Sequence, residues 1–158
     1  VEIRPAVEAD AERIADLWNE MIRDTLWTFT TAEKTTAQIV TLMEGVGDVF
    51  VAETDNQIVG FATYSQFRTG PGYANSMEHS IVVSEHHTGQ KLGDRLLLAV
   101  EKDAREKGFR TMIGGISSAN PRGEAFHARL GYTHMGTLKE VGFKNGQWLD
   151  LILMQKML

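Results

Sequence analysis

The chain has 158 residues, 42% hydrophobic and 23% charged, a make-up that fits a folded globular protein and excludes a disordered one. Its 16 Lys and Arg against 21 Asp and Glu leave a net charge of -5, which argues against a general binder of nucleic acid or anionic membrane. With no cysteine, disulfides, thiolate nucleophiles and Cys-ligated zinc are excluded.

Val1 to Arg4 reads as a short strand stopped by Pro5, and Asp10 is placed to cap a helix carrying Ile14, Leu17, Trp18, Met21 and Ile22 at helical spacing. Thr35 or Thr36 opens a second helix through Met43. Val49–Glu53 and Gln57–Gln66 read as strands joined at Asp55-Asn56, and Arg68–Gly72 is a loop because it contains Gly-Pro-Gly. Ser76–Val83 is a strand. Gly89–Lys107 is a helix with Leu92, Leu96, Leu97, Val100 and Ala104 as its apolar stripe and Gly108 as its stop. Arg110–Ile116 is a strand, Asn120–Leu130 a short helix ended by Gly131, and two last strands flank Asn145-Gly146, whose residues both accept positive φ. The order is that of a mixed α/β protein, expected to form one domain over residues 1–158. No apolar run reaches the ~18 residues of a membrane span. Val1-Glu2-Ile3-Arg4 does not read as a signal peptide, so the expectation is a soluble, cytoplasmic protein.

The sharpest local feature is the buried strand Ile81-Val82-Val83 running through Ser84-Glu85-His86-His87-Thr88-Gly89-Gln90-Lys91-Leu92-Gly93-Asp94 into a long helix. Amides at such a helix start are unpaired and add to the positive end of the dipole, so a phosphate or diphosphate is a natural guest. The plain alternative is an ordinary strand–helix connection. Neither Gly-x-x-x-x-Gly-Lys-Ser/Thr nor Gly-x-Gly-x-x-Gly occurs, so a nucleotide-hydrolysing or dinucleotide reading has no motif behind it. No Gly-x-Ser-x-Gly elbow marks a serine hydrolase.

Taken together, Glu78-His79-Ser80-Ile81-Val82-Val83, the loop to Gly93, Asn120, the stretch Phe126 to Tyr132 and the run Gly142-Phe143-Lys144-Asn145-Gly146-Gln147-Trp148-Leu149-Asp150 resemble the GNAT superfamily of acetyl-CoA-dependent N-acetyltransferases. More narrowly they resemble its phosphinothricin N-acetyltransferase group, which Trp18-Asn19-Glu20 and the loop from Phe67-Arg68 to Tyr73 also fit. The resemblance implies a GNAT fold, a mixed and mostly antiparallel sheet flanked by helices and splayed between the strands at 76–83 and 110–116. It implies acetyl-CoA as co-substrate, no metal, and a homodimer. The family's diphosphate loop, Gln/Arg-x-x-Gly-x-Gly/Ala, falls on Thr88-Gly89-Gln90-Lys91-Leu92-Gly93, with Asp94 following. Thr88 stands where the family has a basic or amide residue, and Lys91 where it has its first glycine. Backbone amides do not depend on side-chain identity, so the cradle survives if Lys91 accepts the required φ. The backbone of Ile81, Val82 and Val83 is implied to pair with the pantetheine arm, and Asn120 to meet the cofactor near its thioester. Asn120 before Pro121 also suits a helix cap.

Glu78 is implied as the base that deprotonates the amine; a solvent-facing strand-end glutamate is the plain alternative. His127 stands where many family members have a tyrosine acid, and is either the proton donor to the thiolate or a buried structural histidine. His79, His86, His87 and His134 show no metal-ligand spacing. On the acceptor side Phe29, Arg68 and Tyr73 are the candidates; Arg23 or Arg68 suits a carboxylate anchor by a forked contact, and the resemblance hands that task to Arg68 because Tyr73 is followed by Ala74 where the group carries arginine. The expected activity is acetylation of the primary amine of a small amino-acid-like compound of the phosphinothricin, methionine sulfoximine or methionine sulfone type, with no nucleic-acid or membrane partner. The alternatives are a protein or peptide N-acetyltransferase of the same fold and a non-catalytic CoA- or partner-binding module.

Overall fold

The computed structural model describes residues 1–158. In chain order the elements are β1 (Glu2–Pro5), α1 (Ala11–Asp24), α2 (Thr36–Met43), β2 (Phe50–Thr54), β3 (Gln57–Gln66), β4 (Ser76–Val83), α3 (Leu92–Glu106), β5 (Thr111–Ser117), α4 (Gly123–Arg129), β6 (Thr133–Lys144) and β7 (Gln147–Met157). One seven-stranded sheet runs β1-β2-β3-β4-β5-β7-β6. Every neighbouring pair is antiparallel except β4 and β5. This is the mixed, mostly antiparallel sheet that the resemblance implies.

Apolar residues on alternate strand positions divide the core between the two sheet faces. On one face Ile14, Leu17 and Ile39 of the first two helices pack on Val51, Phe61 and Val82. On the other, the α3 stripe of Leu92, Leu96, Leu97, Val100 and Ala104 is wholly buried against Ala62, Met77 and Met112. Each of those leucines stabilises the fold by about 1.5–3 kcal/mol on burial. Both hairpin turns take the left-handed backbone that their residues tolerate: Asp55 and Asn56 have φ of 50° and 60°, Asn145 and Gly146 of 52° and 74°.

Three local expectations shift. Asp10 precedes α1, but its carboxylate is engaged by Arg4 at 2.8 and 3.1 Å and by the Val7 amide at 2.8 Å, so it does not cap that helix. The third helix starts at Leu92 rather than Gly89, because Gly89 (φ 89°) and Lys91 (φ 56°) are left-handed and cannot join a right-handed turn. The fourth starts at Gly123 rather than Asn120. Asn120 Oδ1 accepts from the Arg122 amide at 3.2 Å, a local turn that competes with helix.

The parallel pair creates the cleft. β4 and β5 are in register only over Ser76–Glu78 with Thr111–Ile113. Beyond that, β4 stays with β3 up to Val83, and β5 stays with β7 up to Ser117. Their facing edges part and leave main-chain hydrogen-bonding groups without a strand partner.

Candidate active site

At the parting point β5 carries Gly114-Gly115, and the side chains it lacks make room for chemistry. A Cβ at Gly115 would stand 2.9 Å from Glu78 Oε2, and one at Gly114 would stand 2.9 Å from His127 Nε2 and 3.2 Å from His79 Nε2. Glu78 and His79 are consecutive on β4, so they project to opposite faces. Glu78 shares its face with Val82 and hence with α1, whereas His79 meets His127 of α4. A cavity of about 460 Å³ threads the parted strands and is lined by Glu78, His79, Ile81, Asn120 and His127, with Phe29 on its far wall.

Burial raises the Glu78 carboxyl above its ordinary range, since no cation stands close enough to offset the lost hydration. Burial pushes His127 below the usual imidazole value, only partly opposed by its bond to the Gly123 carbonyl at 2.7 Å and by Glu101. Glu78, raised, and His127, lowered, thus line one cavity from opposite faces of the sheet, their protonation preferences shifted toward each other.

The far wall is the segment from Thr25 to Lys34, which has no regular structure of its own and is held from outside. Lys144, at the end of β6 and 2% exposed, donates to the carbonyls of Ile22 (2.7 Å), Thr25 (2.9 Å) and Thr28 (3.0 Å). Ser117 Oγ donates to the Leu26 carbonyl at 2.6 Å. Gly142 admits the Phe29 ring, for a Cβ there would approach it to 2.5 Å. Asn19 grips Lys34 through both backbone groups, at 2.6 and 2.9 Å, and Trp18 lies under its ammonium at 4.8 Å. Lys34 lines the cavity, and its ammonium forms no ion pair with a carboxylate. The sequence reading missed Lys34, Lys144 and the Gly114-Gly115 pair. The Gly-Phe-Lys run was visible as a motif, but its target, the end of α1, was not.

The loop before α3 is built differently. No amide from Thr88 to Asp94 donates within the chain. Lys91 (φ 56°, ψ 29°) adopts the left-handed conformation that glycine would take more easily. The Asp94 carboxylate is taken by Arg129 at 2.8 Å, and the Asp94 amide donates to no group of the chain. Gly93 serves close packing, since the Phe126 ring would lie 3.2 Å from a Cβ there. Gln90 and Leu92 complete the loop, Leu92 anchored in the core and Gln90 exposed.

The predicted residues therefore gather in part. Glu78, His127, Asn120, Ile81 and Phe29 line one cavity, and Val82 and Val83 continue the same strand edge toward Thr88–Asp94. Arg68 and Tyr73 do not line it. Arg68 lies over the Phe67 ring and Tyr73 packs edge-on to that ring, both exposed.

Known proteins share this sequence pattern and fold. A relative in Pseudomonas aeruginosa, an L-methionine sulfoximine/L-methionine sulfone acetyltransferase, is 31% identical over 158 residues, covering 97% of this chain and 92% of its own. The solved ribosomal-protein-alanine N-acetyltransferase of Brucella melitensis superposes with a TM-score of 0.95 at 34% identity over the full length of both chains. A phosphinothricin acetyltransferase of Sinorhizobium meliloti, solved in complex with acetyl-CoA, superposes at 0.93 with 31% identity, over 99% of this chain and 88% of that one. Residues 14–132 match the Acetyltransferase (GNAT) family, and with the parted β4–β5 edge and free amide loop in place, the chain belongs to that family.

Proposed function

We propose that this protein transfers the acetyl group of acetyl-CoA to the primary amine of a small amino-acid-like acceptor of the methionine sulfoximine, methionine sulfone or phosphinothricin type. The observation that carries the reading is the continuity of three features along one strand: the free amides of 88–94, the unpaired β4 edge, and the Glu78 carboxyl beside a cavity of about 460 Å³. The residues present fit the donor. The amides of Thr88 to Asp94 at the start of α3 hold its diphosphate, helped by the positive end of the helix. The main-chain edge of Ile81, Val82 and Val83 holds the pantetheine arm as an added strand would, and the Asn120 side chain orients its reactive end. Bound acetyl-CoA supplies a thioester, whose thiolate leaves readily because a thiol has a pKa near 8.5.

The protein's part is to manage protons and position. An α-ammonium has a pKa of about 7.7–8.0, and each unit separating it from its base costs about 1.4 kcal/mol. Burial raises Glu78 toward that range, so Glu78 accepts the amine proton directly or through water at a reduced cost. His127 manages the proton that the thiolate needs. Phe29 packs against the acceptor, and the Lys34 ammonium takes its carboxylate, because Lys34 rather than Arg68 lines the cavity. We assign Arg68 and Tyr73 no contact with the acceptor. The exposed pair Phe143 and Trp148 on the β6–β7 edge, with Val141 beside them, supports a homodimer formed on that edge, and we assign the reaction to the cytoplasm.

The likeness to the Brucella enzyme favours a second reading, a protein N-terminus as acceptor. The Lys34 anchor suits a free amino acid better, since a peptide lacks a carboxylate at that distance from its amine. Thiol release is measured with methionine sulfoximine, methionine sulfone, phosphinothricin and an alanine-headed peptide. The amino acids are expected to turn over and the peptide not. Binding of acetyl-CoA with no turnover of any amine would overturn the enzyme reading. Glu78→Gln is expected to lower kcat by about 100-fold or more with acetyl-CoA affinity kept. It also removes the acid limb of the pH profile, which in the parent protein lies above the ordinary glutamate range.

A further inference from the structure

Two imidazoles meet in the cleft, and only one of them has a part in the proton transfers above. His127 Nδ1 lies 2.7 Å from the Gly123 carbonyl, which cannot donate, so Nδ1 carries a proton. His127 Nε2 lies 3.2 Å from His79 Nε2, and one proton must stand between them. Burial pushes His79 down to about 3 and holds His127 below its usual value, so both rings are neutral at pH 7. A neutral His127 has spent its single ring proton on Gly123. The shared proton is therefore on His79, whose other nitrogen, Nδ1, is a bare lone pair. That agrees with its being buried without any partner.

The pair is clamped. The ring planes are 7° apart with centroids at 5.0 Å. Tyr132 stands edge-on to both, at 5.7 and 5.2 Å, and Phe126 closes the side of His127 at 5.1 Å. Tyr132 is fixed in turn by its hydroxyl donating to Glu101 at 2.9 Å, and Glu101 is balanced by Lys156 at 2.6 Å. These, with Glu78 projecting to the opposite face of β4, are the titratable groups around the rings. Gly114 provides the space for both Nε2 atoms.

We propose that His79 is a positioning residue for His127: by donating its Nε2–H to His127 Nε2, it holds that ring as the Nδ1–H tautomer, with a lone pair and not a proton on the nitrogen over Gly114. His127 Nε2 then enters turnover without a proton, takes one up as the His79 N–H releases its lone pair, and donates only a proton it has first taken up. The ammonium sheds two protons on becoming an amide: Glu78 takes the first and returns it to solvent, and the second, freed as the nitrogen is acylated, reaches the thiolate by way of His127, so the imidazole pair ends as it began. This consequence rests on His127 acting in proton transfer as proposed above; the tautomer does not.

The test is ring ¹⁵N spectroscopy of the labelled full-length protein at pH 7, with His127 assigned by His127→Gln. The expected spectrum shows His127 protonated at Nδ1 and bare at Nε2, and His79 the reverse. In His79→Leu the His127 tautomers mix and its titration midpoint rises, because a donor to the neutral ring is lost. In that variant kcat falls about tenfold or more while the KM for acetyl-CoA holds. His79→Gln, whose amide can donate, restores most of both. A parent spectrum with His127 protonated at Nε2 overturns the proposal even if no variant folds, as does a His79→Leu variant with unchanged tautomer and pH profile. The expected spectra together with full turnover by His127→Gln would instead overturn the catalytic reading of His127 and leave the pairing standing.

Discussion

The wall of the cavity from Thr25 to Lys34 and the loop from Ser84 to Asp94 are both irregular segments beside the same cleft, but they treat their backbone groups in opposite ways. In the wall, carbonyls are taken by distant side chains, two of them by Lys144, which also holds the Ile22 carbonyl near the end of α1. In the loop, a run of amides is left with no partner in the chain. Buried unpaired groups are costly and exposed ones are not, so the wall has to be satisfied internally while the loop, open to solvent, can keep its donors for a ligand. One segment is a fixed surface and the other an open receptor.

The contrast is broken most severely at Lys144. Lys144→Met strands three carbonyls and should cost about 3 kcal/mol in urea denaturation, with the KM for the amine raised and acetyl-CoA affinity little changed. An unchanged stability would mean that water replaces the ammonium and the wall is not fixed by it. A smaller and more selective effect is expected at Lys34. Lys34→Met should raise the KM for an amino-acid acceptor about tenfold, the equivalent of roughly 1.4 kcal/mol, and leave the KM for the corresponding amide unmoved. Equal effects on both would remove Lys34 as the carboxylate anchor. The smallest effect belongs to the loop. Left-handed backbone costs a residue with a Cβ about 1–2 kcal/mol, partly offset by the chain entropy of glycine, so Lys91→Gly should gain about 0.5 kcal/mol of stability. Its acetyl-CoA Kd should stay within about threefold, because the amides and not the ammonium do the holding. A tenfold loss of affinity would give that task to the side chain.

Some of this was readable from residues near one another in the chain. The alternation through Leu149, Leu151 and Leu153, the Asn145-Gly146 turn and the α3 stripe each report their own conformation within a few positions. The boundaries that moved did so for local reasons that composition hides. Lys91 gives no sign that it will be left-handed, and Asn120 can turn the chain as readily as cap it. Glu78 and His127 were legible as candidates through the motif around each. His79 was legible only as one of several histidines, because its partner lies 48 residues away. Arg68 was singled out because the group's arginine after Tyr73 is missing here, whereas the cation that lines the cavity, Lys34, stands in a segment with no motif to mark it.

The sequence by itself determined the order of elements, the two hairpins, the family and the loop that offers its amides, since these depend on short-range periodicity and backbone preference. The tertiary structure alone decided where the sheet parts and which side chains meet across it: Glu78 over Gly115, His79 with His127 over Gly114, and Lys144 with a carbonyl 122 residues away. Those meetings follow from packing two helical layers on one twisted sheet, and no window of neighbouring residues contains that information.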